Sequence, residues 1–205
     1  MSATATTTAI APTQKNILVI LAHPRKESLC GGLARRYADA AREAGGRVRS
    51  LDLADLPFDP VLHEGYLRPQ EWEATLDAAW MDVTWAQHLV FVYPNWWGTF
   101  PALLKGFFDR VFLPGKAFKY RPDSPMWDKL LTGRSARVLV TMDSPPWYYR
   151  FLIGAPGDKQ IKRSVLGFCG IAPVHISHFG SVRNSTAEQR GRWLDKVASL
   201  ARDDV

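Results

Sequence analysis

Five short runs of apolar or alternating residues are separated by segments of helical period, and this alternation restricts the fold more than any other feature. The runs span residues 16–22, 47–53, 88–93, 136–142 and 173–179. Between them, apolar residues recur every three or four positions, as in amphipathic helices. Strands that alternate with helices need right-handed crossovers, which produce a parallel sheet covered on both faces. The pattern therefore predicts an α/β three-layer sandwich with a five-stranded parallel sheet in the order 2-1-3-4-5.

Several element boundaries carry their own signals. Thr99 is expected to cap the third helix, and Pro101 suits the first turn of that helix. Ser185 and Glu188 have the spacing of a capping box before the last helix. Residues 113–129 are rich in proline and are predicted to be mostly loop.

The composition indicates an ordinary globular protein. With 205 residues, of which 46% are hydrophobic and 22% charged, the chain can form one substantial core, expected over residues 15–205. Residues 1–14 are rich in Ala and Thr and are predicted to be a disordered tail. Lys and Arg number 26 against 20 Asp and Glu, but they are scattered, so no nucleic-acid partner is expected. No apolar segment reaches the ~20 residues that span a bilayer, so no integral membrane segment is predicted.

The cysteines and histidines show no metal-binding pattern. Cys30 and Cys169 lie far apart and belong to neither a C-x-x-C nor a zinc motif, so a cytoplasmic location is the default expectation. His175 and His178 are spaced like a metal pair but fall in a predicted strand, where residues three apart point to opposite faces. No metal site is predicted.

Three unusual loops follow the first, third and fourth predicted strands, at residues 23–31, 94–99 and 143–149. In a sheet of this order the carboxyl ends of these strands meet at the point where the strand order reverses, and ligands bind there. We therefore expect the three loops to converge on one binding site.

The first loop has the features of a phosphate site. It brings a hydroxyl, backbone amides and nearby positive charge to the start of a helix. The candidate residues are His23, Ser28, Leu29, Cys30 and Gly31. The alternative is that Ser28 only caps the helix.

The other two loops have the features of a site for a flat ligand. Their candidate residues are Pro94, Asn95, Trp96, Trp97 and Gly98 in one loop and Met142, Asp143 and Ser144 in the other. One tryptophan is expected to line a pocket, while the other could fill a sheet edge or a subunit interface. A phosphate loop beside aromatic loops fits flavin mononucleotide, with its phosphate at the first helix and its isoalloxazine ring against the other two loops.

Several motifs resemble those of the NAD(P)H:quinone reductases, which have a flavodoxin-like fold. The matching segments are Ala22-His23-Pro24 with Ser28, Pro94-Asn95-Trp96-Trp97, residues 101–106, residues 109–112, residues 115–118 and Phe168-Cys169-Gly170. The resemblance implies a flavoenzyme, usually a homodimer. Such an enzyme takes hydride from NAD(P)H onto the flavin and passes two electrons to a quinone or similar acceptor by a ping-pong mechanism. The flavin is FMN or FAD, with FMN favoured.

The chain departs from the family pattern after the fourth strand. Where the family commonly has Thr-Thr-Gly-Gly, this chain has the segment 142–145, Met-Asp-Ser-Pro. Arg150 and Pro156 occupy the positions of a Tyr and a His to which the family's hydride chemistry is often assigned, so Tyr148 or Tyr149 could act instead.

The departure leaves room for a second function. The alternative is a flavin-binding regulatory or ancillary subunit of a membrane transport system, as some relatives serve potassium-efflux transporters. A small electron-carrying flavodoxin fits less well, because such carriers need an acidic docking face and the formal net charge here is +6.

Overall fold

A computed structural model describes residues 14–205 of the chain. The predicted tail at residues 1–14 lies outside the described residues except for its last position. The central sheet is parallel and has five strands, in the order β2, β1, β3, β6, β7. Its strands are β1 (Asn16–Leu21), β2 (Arg47–Asp52), β3 (His88–Pro94), β6 (Ser135–Thr141) and β7 (Val174–Phe179). The predicted flavodoxin-like topology and the predicted order 2-1-3-4-5 are confirmed, since β6 and β7 are the fourth and fifth strands of this sheet.

Helices cover both faces of the sheet. They are α1 (Leu29–Glu43), α2 (Ala74–Trp85), α3 (Ala102–Val111), α4 (Pro146–Phe151), α5 (Pro156–Lys159), α6 (Gly167–Cys169) and α7 (Ala187–Asp204), with a π-helix over Gln160–Leu166 between α5 and α6 and a 3-10 helix over Val182–Asn184. Helices α1 and α7 pack on one face, and α2, α3 and the π-helix pack on the other. Side chains of β1 alternate between these two cores, as expected for a central parallel strand.

Residues 113–129 differ from the prediction. They form a short antiparallel hairpin of β4 (Phe118–Tyr120) and β5 (Trp127–Lys129). The strands of this hairpin have three residues each, too short to produce a recognisable alternation of polar and apolar positions. Its path is fixed by tertiary contacts instead, since the indole ring of Trp127 stacks on Phe168 with centroids 4.3 Å apart.

Two predicted helix caps are shifted. The third helix begins at Ala102 with Pro101 as its N-cap, and the Thr99 hydroxyl donates to the Gln160 side chain at 2.7 Å. The last helix is capped by Thr186, whose hydroxyl accepts from the Gln189 amide at 3.1 Å, rather than by Ser185. In the last helix the error comes from a neighbouring residue, Thr186, that is about as able to cap as Ser185. In the third helix no side chain caps the first turn, because the Thr99 hydroxyl is bonded elsewhere.

Arg110 of α3 holds the long loop that joins β2 to α2. Its guanidinium is fully buried and donates to the backbone carbonyl oxygens of Asp59 and of Glu71, the latter at 2.9 Å. It also pairs with the Glu73 carboxylate at 2.8 Å. On the same helix, a methyl group added at Gly106 would lie 2.4 Å from the Cβ of Pro60, so glycine allows the loop to contact the helix.

A charged cluster lies at the opposite end of the sheet from the predicted site. Asp204 at the end of α7 accepts from the Tyr37 hydroxyl at 2.7 Å and from Arg137 Nη2 at 2.8 Å, and its carboxylate lies 3.3 Å from His88 Nε2. Burial raises the pKa of Asp204, but the hydrogen bonds from Arg137, the nearby His88 ring and the hydrogen bond from Tyr37 outweigh this effect and hold the pKa well below its usual value. The cluster ties α7 to β3, β6 and α1.

Candidate cofactor site

A cavity of about 360 Å³ lies at the carboxyl ends of β1, β3 and β6. Nine of the predicted site residues line it: His23, Ser28, Leu29, Cys30, Pro94, Asn95, Trp96, Met142 and Asp143. Sequence reasoning missed three lining residues, which are Arg25, Thr141 and Val182. The three loops therefore meet at the switch point of the sheet, where they were expected, and the volume falls in the usual range for small-molecule sites.

The first loop presents the amino terminus of α1 to this cavity. Ser28 caps the helix, and its hydroxyl accepts from the Gly31 amide at 3.2 Å. The Leu29 and Cys30 amides lie in the first turn, where a helix provides no backbone acceptor. The first turn contains no acidic residue, so the positive end of the helix dipole is not neutralised there. This arrangement can bind a phosphate group.

His23 is held in one orientation and one tautomer. Its Nδ1 accepts from the Arg25 amide at 2.9 Å, so in the neutral ring Nε2 carries the proton. Burial lowers the pKa of the His23 imidazole below its usual value. The ring also contacts Trp96 edge to face, with centroids 5.9 Å apart. His23 can thus offer a neutral N–H donor to a ligand in the cavity.

Gly31 does not line the cavity but shapes it. A methyl group added at this position would lie 1.8 Å from the carbonyl oxygen of Lys26. The absence of a side chain at Gly31 therefore allows the loop to lie directly against the first turn of α1.

Cys30 and Thr141 line the floor of the cavity as a polar pair. The Cys30 Sγ and Thr141 Oγ1 atoms are 3.1 Å apart, and both side chains are buried. Burial raises the pKa of the Cys30 thiol to about 12, so the group remains neutral and is unsuited to act as a nucleophile.

Asn95 carries an unsatisfied polar atom at the cavity. The backbone N–H of Asn95 donates to the Thr141 carbonyl oxygen at 2.7 Å, which extends the β3–β6 pairing by one residue. Its side-chain Oδ1 is buried and has no hydrogen-bond partner among the described residues. A buried acceptor without a donor costs free energy, so a bound ligand with an N–H or O–H group would relieve it.

Residues 96–99 form a tight turn. The Trp96 and Thr99 backbones exchange hydrogen bonds of 2.9 and 3.1 Å, and the two central residues, Trp97 and Gly98, have φ of 53° and 81°. Two positive φ values in succession are those of a type I′ turn. The Trp97 side chain is fully exposed, whereas Trp96 lines the cavity and is about half exposed. A tryptophan in this strained conformation that contacts solvent is available to a ligand or to another subunit.

Tyr149 supports this turn from below. Its hydroxyl donates to the Gly98 carbonyl oxygen at 3.0 Å and accepts from the Gly157 amide at 3.1 Å. Burial and the nearby Asp158 carboxylate raise the pKa of Tyr149, so it stays protonated. Of the two tyrosines considered for catalysis, Tyr149 is thus engaged with the backbone, while Tyr148 is partly exposed and does not line the cavity. Gly98 does not line the cavity either.

The loop after β6, at residues 143–149, is tied to the loop after β7. The Ser181 amide donates to the Ser144 carbonyl oxygen at 3.3 Å, and the Arg183 amide donates to Asp143 Oδ1 at 3.0 Å. A methyl group added at Gly180 would lie 2.8 Å from the Ser144 carbonyl oxygen, so the two segments are in close contact. Ser144 itself lies outside the cavity lining. This contact also brings Val182 to the cavity.

The two histidines of β7 do not form a metal pair. His178 Nε2 lies 3.0 Å from Asp158 Oδ2, and its ring contacts Tyr149 edge to face. His175 is exposed. Among residues 14–205, no helix is both long enough and apolar enough to cross a membrane.

Comparisons with known proteins agree with the fold. The sequence profile of a family described by its flavodoxin-like fold matches residues 15–200. An uncharacterized NAD(P)H oxidoreductase of Haemophilus influenzae is 28% identical over 192 residues, which cover 89% of this chain and 92% of that protein. NAD(P)H dehydrogenase (quinone) 1 of Cavia porcellus is 29% identical over 182 residues, covering 76% of this chain and 65% of that protein. The crystal structure of Smu.1420 from Streptococcus mutans superposes with a TM-score of 0.80 at 30% identity, over 92% of this chain and 99% of that chain.

Proposed function

Because the chain belongs to the family of proteins with this flavodoxin-like fold, to which its sequence motifs also point, we propose that it is a flavin-dependent NAD(P)H oxidoreductase. It would reduce quinones or similar acceptors by two electrons in a ping-pong mechanism. The names of the relatives from H. influenzae and C. porcellus support an NAD(P)H-dependent reaction and a quinone acceptor. The relatives carry oxidoreductase names, which gives no support to the alternative of a regulatory transport subunit.

One observation carries the proposal. The anion-binding start of α1, the unsatisfied Asn95 acceptor and the aromatic turn at 96–99 converge at the same end of the sheet. A flavin nucleotide needs all three, since it has a phosphate, hydrogen-bonding ribityl and ring edges, and a flat ring. FMN is favoured over FAD because FMN has one phosphate, which the start of α1 can bind.

Each part of the site would have a distinct role. The Leu29 and Cys30 amides, with the Ser28 cap and the neutral His23, would hold the phosphate. Asn95 Oδ1 would accept a hydrogen bond from the ligand, and Trp96, Trp97 and the segment 142–144 would flank the ring and limit water access. When bound, the flavin supplies a ring that accepts hydride from the nicotinamide and returns electrons to the acceptor. No ionisable side chain is assigned to proton transfer.

Three further features belong to the proposal. Residues 15–205 would act as one flavin-binding domain, since the family profile covers 15–200. The exposed Trp97 beside the site would contact a second copy of the chain, so a homodimer is proposed. A cytoplasmic location fits the two cysteines, both free and buried.

The test uses the purified protein and two variants. The protein should be yellow, and NADH or NADPH should bleach it under anaerobic conditions before a quinone restores the colour. Mass spectrometry of the released cofactor decides between FMN and FAD. Asn95→Leu should lower the flavin content. Asn16→Leu is the matched control, because Asn16 Oδ1 is also buried and has no partner among residues 14–205, but lies at the other end of the sheet. A colourless protein that takes up neither flavin would refute the proposal.

A further inference from the structure

A second cleft, of about 590 Å³, lies along the outer edge of β7, against the segment from α4 to the π-helix. None of its lining residues lines the cofactor cavity. Four basic side chains face it, namely Arg150, Lys159, Lys162 and Arg163, together with His175 and His178. The chain as a whole has scattered charges, so this local concentration of cations is a distinct feature.

The cations of the cleft are not paired with carboxylates of the described residues. Among residues 14–205, no carboxylate lies within ion-pairing distance of any of the four basic side chains. Asp158 is the one acidic residue in the lining, and it is engaged by His178 at 3.0 Å. The cleft therefore has a positive electrostatic potential that can attract an anion.

Helix stability alone does not favour this arrangement. Lys159, Lys162 and Arg163 are three and four residues apart, which places them on one helical face, where like charges repel. Residues Gln160–Leu166 also form a π-helix, a rare form that often occurs at functional sites. A bound anion would offset the repulsion among the three cations.

The cleft is connected to the aromatic turn beside the cofactor cavity through Tyr149. The Tyr149 ring lies against His178 of the cleft, with centroids 5.7 Å apart. On its other side the Tyr149 hydroxyl bonds to Gly98 of the aromatic turn. A ligand that extends from the flavin ring toward this edge of the sheet would reach the cations.

From these observations we propose that the cleft, defined by Arg150, Lys159, Lys162 and Arg163, binds the phosphate groups of a small soluble ligand. We assign the ligand to NADPH, because the proposed reaction uses it. Its pyrophosphate and 2′-phosphate require cations other than those at the start of α1. The assignment to NADPH rests on the proposed function, whereas the anion site does not. The other possible source is an unrelated phosphorylated metabolite.

The experiment titrates two probes, inorganic pyrophosphate and adenosine 2′,5′-bisphosphate, into the purified protein by calorimetry. The test variant is Lys159→Gln/Arg163→Gln. The matched control is Lys119→Gln/Lys129→Gln, which removes the same charge from exposed residues of the hairpin. Circular dichroism verifies folding. Both probes should bind the wild type and the control equally. Binding to the test variant should be weaker by about tenfold or more, as expected when charge-assisted hydrogen bonds are lost.

Kinetics then identify the source of the phosphate. If NADPH is the ligand, the test variant should raise KM for NADPH about tenfold. KM for NADH should rise less, because NADH shares the pyrophosphate but lacks the 2′-phosphate, and the flavin content should stay the same. Phosphate binding without that change in KM overturns the assignment to NADPH and supports another phosphorylated ligand. Absence of probe binding, or equal binding by the test variant, overturns the anion site. Bleaching of the flavin by NADH is measured separately. Absence of anion binding in the cleft would therefore not refute the proposed oxidoreductase function.

Discussion

The Tyr149 hydroxyl donates to the carbonyl oxygen of Gly98 at 3.0 Å, and this bond holds the aromatic turn over the core. Replacing Tyr149 by Phe removes the bond and also one acceptor of the Gly157 amide. We expect the free energy of unfolding to fall by about 1 kcal/mol, the typical net value of one buried hydrogen bond, and flavin to dissociate faster. Urea denaturation and flavin release by fluorescence measure the two effects.

Tyr148→Phe is the control for this substitution, since Tyr148 is partly exposed. Tyr148→Phe should change neither the free energy of unfolding nor the rate of flavin dissociation. Loss of turnover in Tyr149→Phe with unchanged flavin retention would instead give Tyr149 a chemical role.

Gly31 and Gly32 are adjacent in α1 but respond differently to a methyl group. Gly31→Ala places Cβ 1.8 Å from the Lys26 carbonyl oxygen, whereas Gly32→Ala meets no atom within 4 Å. We expect Gly31→Ala to destabilise the protein by about 1–3 kcal/mol and to lower flavin affinity, because the phosphate loop must move. Gly32→Ala should stabilise it by up to about 1 kcal/mol through helix propensity.

Both glycine variants are measured by urea denaturation and flavin titration. Equal flavin affinity in Gly31→Ala and the wild type would show that the loop does not hold the phosphate.

Trp97 is fully exposed, so its contribution to folding should be small. Trp97→Ala is expected to change the free energy of unfolding by less than about 0.5 kcal/mol. Stacking on a flat ring is worth about 0.5–1.5 kcal/mol, so the dissociation constant of flavin should rise by about 2- to 10-fold. Flavin titration and sedimentation velocity are the measurements, and the latter also reports whether Trp97 contacts a second copy. A large loss of stability of the monomer would instead show that Trp97 packs against the core.

Asp204→Asn should be strongly destabilising. It leaves Arg137 buried without its partner, and breaking such pairs typically costs about 3–5 kcal/mol. Asp195→Asn on the exposed side of α7 is the control and should have little effect. Urea denaturation at pH 7 compares the two.

The pH dependence of stability gives a second test of the same cluster. The folded pKa of Asp204 is lowered, so its contribution is complete above the unfolded pKa of about 3.9 and is lost as pH falls through that value toward the folded pKa. The difference in stability between wild type and Asp204→Asn should therefore narrow below about pH 4. A difference that stays constant from pH 7 to pH 3 would contradict the ionised state of Asp204.

The central strands β1, β3 and β6 could be predicted because they are buried on both faces and therefore appear as short apolar runs. The edge strand β2 is largely exposed and could be predicted from its alternating pattern instead. The position of the site followed from the strand order, since ligands bind where that order reverses. Val182 could not be found in this way. It reaches the cavity only because Gly180 allows the loop after β7 to contact Ser144, and a lone valine in a loop carries no signal.

The different roles of the aromatic residues also could not be predicted from the sequence. Trp96 and Trp97 are neighbours with the same chemistry, and only the turn at 96–99 directs one to the cavity and the other to solvent. Likewise, Tyr148 and Tyr149 cannot be ranked from sequence, because the partners of Tyr149 are the backbones of Gly98 and Gly157. Long-range backbone contacts of this kind leave no periodic pattern.

Arg110 has a consequence for how the sequence can vary. Two of its partners, the carbonyl oxygens of Asp59 and Glu71, are groups that every amino acid provides. The exposed side chains of the β2–α2 loop can therefore be exchanged widely, provided that the backbone keeps its course and that Glu73 or an equivalent acid remains. The side chains of Leu56, Phe58 and Trp72 are the exception, because they pack against the core. Mutational scanning of this protein should find a tolerant loop anchored on one intolerant arginine in a neighbouring helix.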